Sequence, residues 1–141
     1  MLKTLSILGS TGSIGVNALE VISNLENRFK VKYLSTYKNV DLLVSQIKKH
    51  KPKAVAVVDE TAAKKIKSTL DAMGIKLLTG RVGLLDLSQR NDLDLMLNGL
   101  VGASGMQPTI NAIKAGVNVA LANKESLVMA GNIINKELKN S

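Results

Sequence analysis

The fold of this chain can be read from one stretch near its start, Leu5-Ser6-Ile7-Leu8-Gly9-Ser10-Thr11-Gly12-Ser13-Ile14-Gly15. Residues 5–8 predict a short buried strand, the glycine-rich turn (residues 9–13) follows, and residues 14–23 predict a helix. The first glycine permits a sharp turn, the second lets backbone N–H groups approach a pyrophosphate, and the third lets the helix lie close on the strand. Phosphate would bind at the helix N-terminus, where N–H groups lack partners, and Ser10, Thr11 and Ser13 add hydroxyl donors. The pattern favours nucleotide binding over an ordinary tight turn, although its glycine spacing differs from G-x-G-x-x-G.

The rest of the chain alternates between strand and helix patterns. Strands are predicted at 29–36, 54–58, 75–78, 93–97 and 118–121, and helices at 40–49, 60–73, 82–89, 106–115 and 124–139. Asp59 can cap the 60–73 helix, and Gly74 can end it. The alternation predicts one α/β domain, residues 1–141, with a doubly wound, mostly parallel, Rossmann-like sheet and helices on both faces. Ligands bind such sheets beyond the carboxyl ends of the strands, so the loops after strands form the candidate site.

Composition excludes several classes of protein. The chain has 141 residues, 45% of them hydrophobic, which suits one packed core and is too apolar for a disordered chain. Because it has no cysteine and a single histidine, His50, we exclude disulfides, thiol catalysis and ordinary zinc sites. The apolar runs are short and the first residues show no signal-peptide pattern. We therefore expect no membrane span and a cytoplasmic location.

The net charge of +8 is concentrated in one segment. Residues 28–67 contain 11 basic and 3 acidic side chains, whereas the remaining residues are balanced. Such an excess favours an anionic partner, namely nucleic acid, a membrane surface or a phosphorylated small molecule. Nucleic-acid binding often adds aromatic side chains that stack on bases, and this chain has three. Lysines near a predicted helix end are also typical of a solvated face.

The end of the second predicted strand indicates which nucleotide binds. NAD-specific domains place Asp or Glu there, where the carboxylate bonds the ribose 2′-hydroxyl. This chain instead has Lys38, preceded by the hydroxyl groups of Ser35 and Thr36, and these three side chains would suit a 2′-phosphate. An ammonium group attracts a 2′-phosphate that a carboxylate would repel. We therefore predict NADP(H) rather than NAD(H), with a merely solvated Lys38 as the alternative.

Two later loops also follow predicted strands. Residues 99–105 are rich in small side chains, so this loop is either a backbone surface for a ring or ribose or a flexible connector. Residues 120–126 contain Asn123, Lys124 and Glu125 at a strand–helix junction. Asn123 can cap the helix and Glu125 suits its positive end, which is a purely structural interpretation. Lys124 also stands where a substrate phosphate or carboxyl group would be contacted.

Four motifs, taken in order, carry a resemblance to a known family. They are residues 5–15, Lys38-Asn39, Val101-Gly102-Ala103-Ser104-Gly105 and Leu121-Ala122-Asn123-Lys124-Glu125-Ser126-Leu127-Val128. Together they resemble 1-deoxy-D-xylulose 5-phosphate reductoisomerases, and the resemblance implies the N-terminal NADPH-binding domain of that family. Its enzymes rearrange 1-deoxy-D-xylulose 5-phosphate and reduce the product with NADPH to 2-C-methyl-D-erythritol 4-phosphate. The reaction is an early step of non-mevalonate isoprenoid synthesis and needs Mg²⁺ or Mn²⁺.

The resemblance also implies roles for individual residues. The implied cofactor-binding residues are Gly9, Thr11, Gly12, Ser13, Ile14, Lys38, Asn39, Gly102, Ala103, Asn123 and Glu125. Residues 11–14 would contact the pyrophosphate, Lys38 and Asn39 the adenosine ribose phosphate, and Asn123 and Glu125 the nicotinamide side. Lys124 would contact the substrate. The residue before Lys38 is usually glycine in the family, and we hypothesise that Tyr37, which replaces it here, stacks on the adenine.

Enzymes of the family are much longer than this chain, and they carry metal-binding carboxylates, an Asp-Ser-Glu stretch, and a catalytic lid after this domain. We therefore expect no catalytic or metal-binding residue in this chain, which would bind NADPH without catalysis. We expect the full-length parent to be an NADPH-dependent oxidoreductase, a homodimer that acts on a phosphorylated sugar without a nucleic-acid or membrane partner. Two alternatives are the nucleotide domain of another NADP-dependent reductase, such as a semialdehyde dehydrogenase or dihydrodipicolinate reductase, and a non-enzymatic basic α/β binding module.

Overall fold

Parallel strands form the centre of the computed structural model, which describes residues 2–25 and 27–121. The strands in these residues are β1 (Lys3–Leu8), β2 (Phe29–Thr36), β3 (Ala54–Val57), β4 (Lys76–Thr79), β5 (Leu95–Asn98) and β6 (Asn118–Leu121). Their order in the sheet is β4-β3-β2-β1-β5-β6, and every adjacent pair is parallel. The chain moves outward from β1 to one edge and then returns to build the other half from β5. A topological switch point therefore lies between β1 and β5.

Helices cover both faces of the sheet. The described helices are α1 (Ser13–Asn24), α2 (Val40–His50), α3 (Glu60–Met73), α4 (Gly80–Ser88) and α5 (Met106–Lys114), with a 3₁₀ turn at Gly102–Gly105. One buried cluster joins the sheet to Leu19, Leu43 and Ile66 of α1, α2 and α3. A second cluster joins the opposite face to Leu84 of α4 and Ala112 of α5. This arrangement confirms the predicted doubly wound α/β fold. Among the described helices, none combines the length and apolar character needed to cross a membrane.

Local signals set most of the element boundaries. The Asp59 carboxylate accepts a hydrogen bond of 3.0 Å from the Ala62 N–H, and Gly74 ends α3 with φ of +72°, as predicted. Lys48 and Lys49 lie in the last turn of α2, where positive charge suits the helix dipole. The predicted strand 93–97 starts later, at Leu95, and the predicted helix 82–89 starts earlier, at residue 80. The helix predicted at 124–139 lies outside the described residues.

A bulge in β2 organises the amino end of the sheet. Leu5 pairs with Val31 and Ser6 pairs with Tyr33, so Lys32 is an extra residue between the two pairs. Such a bulge redirects side chains locally. Lys32 and Tyr33 both reach Asp92, which precedes β5: the Tyr33 hydroxyl lies 2.8 Å from each carboxylate oxygen, and Lys32 Nζ lies 3.0 Å from Oδ2.

Two further cations complete this amino-end network of Lys32, Tyr33, Lys53, Arg90 and Asp92. Lys53 Nζ lies 3.6 Å from Asp92 Oδ2, and the Arg90 guanidinium lies 5.8 Å from the centre of the Tyr33 ring. Burial, with the hydrogen bond and charge of Asp92, raises the pKa of Tyr33 to about 12. Burial alone would raise the pKa of Asp92, but the hydrogen bonds from Tyr33 and Lys32 and the charge of Lys32 hold it at about 2. The network therefore holds an ionised carboxylate against a neutral phenol.

Replacing the carboxylate by Asp92→Asn keeps an acceptor for the Tyr33 hydroxyl and removes the charge. At pH 7 we expect the free energy of unfolding to fall, because the ion pairs with Lys32 and Lys53 are lost. The loss should be only about 1 kcal/mol, since partly exposed ion pairs contribute little. A carboxyl group with a lowered pKa stabilises the fold only while it is ionised. Wild type should lose this contribution as the pH falls from about 4 to about 2. Urea denaturation across this range should show a shallower loss in the variant.

A matched control is Asp71→Asn. Asp71 forms an exposed pair with Lys67 at 3.6 Å on α3. Because exposed pairs contribute little, its acid profile should run parallel to that of wild type. An identical acid profile for Asp92→Asn and wild type would contradict a stabilising role for the amino-end network.

Candidate functional site

A cleft of about 520 Å³ opens at the carboxyl ends of the strands, beside the switch point. We call it the carboxyl-end cleft. It is lined by Gly9, Thr11 and Gly12 of the glycine-rich turn, Ser35, Thr36 and Tyr37 at the end of β2, Val58 after β3, Arg81 and Leu84 of α4, and Gly99, Leu100, Val101 and Ser104 after β5. Loops after four neighbouring strands therefore share one cavity, as the strand–helix alternation predicted.

The end of β2 holds the glycine-rich turn in place. Gly9 adopts φ of +74°, a conformation that glycine takes readily, and its N–H donates to Ser35 Oγ at 2.9 Å. The Ser10 N–H donates to the Ser35 carbonyl oxygen at 2.8 Å. The hydroxyl groups of Thr11 and Thr36 lie 2.6 Å apart. Three consecutive residues of the turn are thus tied to β2.

Gly15 permits the closest packing in the site. A Cβ atom there would lie 2.5 Å from both the Gly9 carbonyl oxygen and the Ser10 Cα. The third glycine therefore lets α1 approach the backbone of the turn itself, where we had expected contact with the strand. Gly12 is less crowded, since a Cβ there would lie 3.5 Å from the Gly9 oxygen, an ordinary contact. Gly12 is the N-cap of α1, and no side chain caps that helix.

Hydroxyl groups that were candidates for phosphate binding serve the fold instead. Ser35 and Thr36 are each 1% exposed, and both bond the turn. Ser10 is fully buried, and its hydroxyl lies 2.8 Å from the side-chain oxygen of Gln46 on α2. The hydrogen bonds of these residues hold the glycine-rich turn and the end of β2 in position behind the cleft surface. At the end of β2 the exposed side chains are those of Tyr37 and Lys38.

The other predicted residues of the first half lie around the cleft. Lys38 is exposed just beyond Tyr37, and Asn39 caps α2 by accepting a 3.3 Å hydrogen bond from the Leu42 N–H. Ser13 and Ile14 are exposed in the first turn of α1 and are not part of the cleft lining. The structure therefore brings Gly9, Thr11 and Gly12 together in the cleft. The other four predicted residues are not part of its lining and follow a lining residue by one or two positions in the sequence: Ser13, Ile14, Lys38 and Asn39.

The loop after β5 is held by a buried amide. Asn98 is fully buried, and its Nδ2 donates to the Gly105 carbonyl oxygen at 2.8 Å and to Thr109 Oγ1 at 2.7 Å. This bonding favours an ordered cleft wall over a flexible connector. The predicted residues Gly102 and Ala103 lie in the 3₁₀ turn, between the cleft-lining residues 101 and 104. Asn123, Lys124 and Glu125 lie outside the described residues.

Sequence reasoning missed Arg81. It lies in the first turn of α4, lines the carboxyl-end cleft, and donates a 3.0 Å hydrogen bond from Nη1 to the Ser104 carbonyl oxygen. Arg81 thereby links the start of α4 to the loop after β5. Its position just after β4 was the available signal, since loops after parallel strands line such sites. In the described part of the chain, no group of three His, Asp or Glu side chains could hold a metal ion.

Comparison with known proteins identifies one family. The family model described as 1-deoxy-D-xylulose 5-phosphate reductoisomerase matches residues 5–131. A curated protein of that name from Chloroherpeton thalassium is 45% identical over 133 residues, which cover 94% of this chain and 34% of the relative. One from Caldanaerobacter subterraneus subsp. tengcongensis is 47% identical with the same coverage. The chain thus spans about a third of the length of the curated relatives it matches.

Solved structures of 1-deoxy-D-xylulose 5-phosphate reductoisomerases share the fold of this chain. The reductoisomerase from Zymomonas mobilis in complex with NADPH matches with a TM-score of 0.92 and 30% identity, over 99% of this chain and 37% of that one. A reductoisomerase in complex with NADPH, fosmidomycin and magnesium matches with a TM-score of 0.89 and 33% identity, over 98% and 34%. Sequence and structure comparisons together confirm the family resemblance.

The two glycines of the first helical turn should respond differently to alanine. Gly15→Ala places a methyl group against backbone atoms that cannot move aside cheaply, so we expect a loss of about 1–3 kcal/mol in the free energy of unfolding. Gly12→Ala serves as the matched control and should cost less than about 1 kcal/mol, the usual difference between glycine and alanine at an N-cap. Urea denaturation measures both. Equal losses would contradict the assigned close contact.

Proposed function

Because the chain belongs to the 1-deoxy-D-xylulose 5-phosphate reductoisomerase family, we propose that it is an NADPH-binding domain and that NADPH occupies the carboxyl-end cleft. One observation carries the proposal: the glycine-rich turn and the uncapped start of α1 open into a cleft at the switch point of a parallel sheet. Dinucleotides bind such sheets at this position. Reductoisomerases of similar fold have been solved in complex with NADPH.

The pyrophosphate lies at the start of α1 in this proposal. The first N–H groups of a helix lack partners within the helix, and the helix dipole attracts negative charge. Gly12 adds no side chain that would fill the cleft, and Thr11 lines it. Ser13 and Ile14 supply backbone at the margin of the cleft. The peptide groups of the turn and first helical turn thus form the anion site.

The adenosine half lies toward the end of β2. Lys38 is exposed there and supplies the positive charge that a 2′-phosphate requires, while Asn39 fixes the start of α2 beside it. Tyr37 lines the cleft and is 63% exposed, so its ring is free to stack on the adenine. Apolar side chains of Val58 and Leu84 line the same cleft and suit a planar base.

The nicotinamide half lies on the other side of the turn. The loop after β5 brings Gly102 and Ala103 close to the cleft, with little side chain to exclude a ribose. On the family resemblance we assign Asn123 and Glu125 to the nicotinamide side and Lys124 to the substrate, and these three residues lie outside the described part of the chain. The order of these loops along the sheet, with β2 and β5 on either side of β1, matches the two halves of a dinucleotide.

For the full-length protein we propose the activity of the family: conversion of 1-deoxy-D-xylulose 5-phosphate to 2-C-methyl-D-erythritol 4-phosphate with NADPH, for isoprenoid synthesis, in a cytoplasmic homodimer. A related reductoisomerase has been solved in complex with magnesium. The described residues offer no matching cluster of carboxylate or histidine side chains. No step through Mg²⁺ or Mn²⁺ is therefore assigned to the described residues, whose part is to bind and orient NADPH.

Calorimetric titration with NADPH and NADH tests the cofactor proposal. We expect NADPH to bind at least about tenfold more tightly than NADH, a difference of about 1.4 kcal/mol. Lys38→Gln should lower NADPH affinity by about tenfold and leave NADH unchanged, because NADH lacks the 2′-phosphate. Lys67→Gln, on the exposed face of α3, is the control. Equal binding of both nucleotides would exclude Lys38 as a 2′-phosphate contact, and binding of neither by folded protein would contradict the proposal.

The 141-residue chain should bind NADPH without turning it over. Its sequence contains no Asp-Ser-Glu stretch, and its described residues offer no cluster for a divalent metal. The measurement is NADPH absorbance in the presence of 1-deoxy-D-xylulose 5-phosphate and Mn²⁺, with a full-length reductoisomerase as positive control. Substrate-dependent oxidation of NADPH by the purified chain would show that this division of roles is wrong.

A further inference from the structure

We propose that Gln46 is a positioning residue that holds the glycine-rich turn in its pyrophosphate-binding shape. The inference rests on the proposed function. Gln46 lies on α2 and is 8% exposed. Its side chain is not part of the carboxyl-end cleft, and it reaches the turn through Ser10.

The two residues are joined by a pair of hydrogen bonds. Gln46 Nε2 donates to the Ser10 carbonyl oxygen at 2.8 Å, and Ser10 Oγ donates to Gln46 Oε1 at 2.8 Å. The carbonyl oxygen of Ser10 can only accept, so the nitrogen of the amide must face it. The amide oxygen then faces the hydroxyl group, which donates. This pairing requires one donor and one acceptor on the same side chain, a requirement that glutamine meets without charge.

The position of Ser10 controls the start of α1. Ser10 is fully buried, and its N–H is also bonded to the Ser35 carbonyl oxygen at 2.8 Å. On its other side, Gly15 packs so closely that an added Cβ would lie 2.5 Å from the Ser10 Cα. Ser10 is therefore held between α2, β2 and α1. Ser10 thus cannot shift without displacing Gly15 or the adjoining Thr11 and Gly12, and the latter two line the cleft.

Losing the Gln46 amide would take away the hydrogen-bond donor of the buried Ser10 carbonyl oxygen, whereas the Ser10 hydroxyl would keep the Ser35 carbonyl oxygen, 3.1 Å away, as an acceptor. A buried acceptor without a donor is costly, so the backbone is driven to rearrange toward water. Ser10 adjoins Thr11, which lines the cleft. The rearrangement would therefore change the part of the cleft to which the pyrophosphate is assigned. The adenosine contacts, at Tyr37 and Lys38, belong to a different loop and should be less affected.

The experiment compares two ligands on each variant. NADPH contains the pyrophosphate, and adenosine 2′-monophosphate contains the adenine and 2′-phosphate without it. For Gln46→Leu we expect calorimetry to show NADPH affinity at least about tenfold weaker, with adenosine 2′-monophosphate affinity equal to that of wild type. Gln89→Leu makes the same chemical change at an exposed position after α4 and should leave both affinities unchanged. Urea denaturation shows that each variant is folded under the binding conditions.

A second variant provides a readout that a general loss of stability would not produce. In Gln46→Glu, an ionised carboxylate faces the Ser10 carbonyl oxygen with acceptors only, whereas a protonated carboxyl can donate to it. Affinity for NADP⁺, measured relative to wild type at each pH, should therefore recover as the pH falls from 8 to 5. Glu20 of α1 and Lys49 and His50 of α2 line the adjoining groove, and they are the same in both proteins. Their own titration and that of the 2′-phosphate are present in both proteins, so the ratio reports the protonation of the introduced carboxyl group together with its coupling to these neighbours.

The outcomes separate this inference from the proposed function. If wild type binds NADPH and Gln46→Leu binds it equally well, Gln46 has no positioning role. Equal weakening of NADPH and adenosine 2′-monophosphate also overturns the inference, since it indicates a general structural defect. If Gln46→Leu does not fold, the pH-dependent ratio for Gln46→Glu decides, and a ratio that stays constant overturns it. If wild type binds neither ligand, the proposed function itself fails.

Discussion

The missing side chain at Gly15 is the constraint on which the candidate site depends. Because nothing projects from that position, the first turn of α1 lies against the backbone of Gly9 and Ser10, at a distance where a Cβ would overlap both. The same turn is bonded to the end of β2 through Ser35. The loop after β5 lies on the opposite side, where a Cβ atom added at Gly9 would come within 3.2 Å of the Gly99 backbone. Loops from separate strands therefore meet around one helix start, and the carboxyl-end cleft is the space they enclose.

The features predicted correctly are those set by residues close together in the sequence. Asp59 and Gly74 bound α3 as expected, because a cap depends on the residues of its own helical turn. The continuous apolar run at 54–57 became a strand buried on both faces, as parallel sheets require. Alternation of such segments was sufficient for the doubly wound fold. The glycine-rich turn lies directly after β1 and lines the carboxyl-end cleft, which agrees with the position that its local pattern predicted.

Contacts between distant residues could not be predicted in this way. Gln46 is 36 residues from Ser10, and Asp92 is 59 residues from Tyr33, so no spacing rule connects either pair. The bulge at Lys32 depends on the register between β1 and β2, which the sequence pattern of one strand does not contain. Ser35 was predicted to suit a phosphate because it lies near the end of a strand. In the structure it is buried, and its hydroxyl oxygen accepts a hydrogen bond from the Gly9 N–H. Residue type and loop position predict where a site lies, and tertiary bonding decides which side chains face it.

The two ends of the sheet use different kinds of polar interaction, and the difference suits their roles. At the amino end, Asp92 is ionised among Lys32, Lys53 and a buried phenol, so this end responds to pH. At the carboxyl end, Ser10, Ser35 and Gln46 hold the turn through neutral groups. In the proposed function the turn attracts the pyrophosphate through peptide dipoles, and a buried charge beside it would add a field of its own. Hydrogen bonds between neutral groups fix the shape of the turn without adding charge. The positive potential beside the turn then comes from the start of α1 and from Lys38.

Among the described residues, the groups with clearly shifted pKa values, Tyr33, His50 and Asp92, all lie outside the cleft lining. Acid should therefore destabilise the fold by protonating Asp92 at the amino end of the sheet, away from the carboxyl-end cleft. The geometry of the turn should persist for as long as the sheet remains folded.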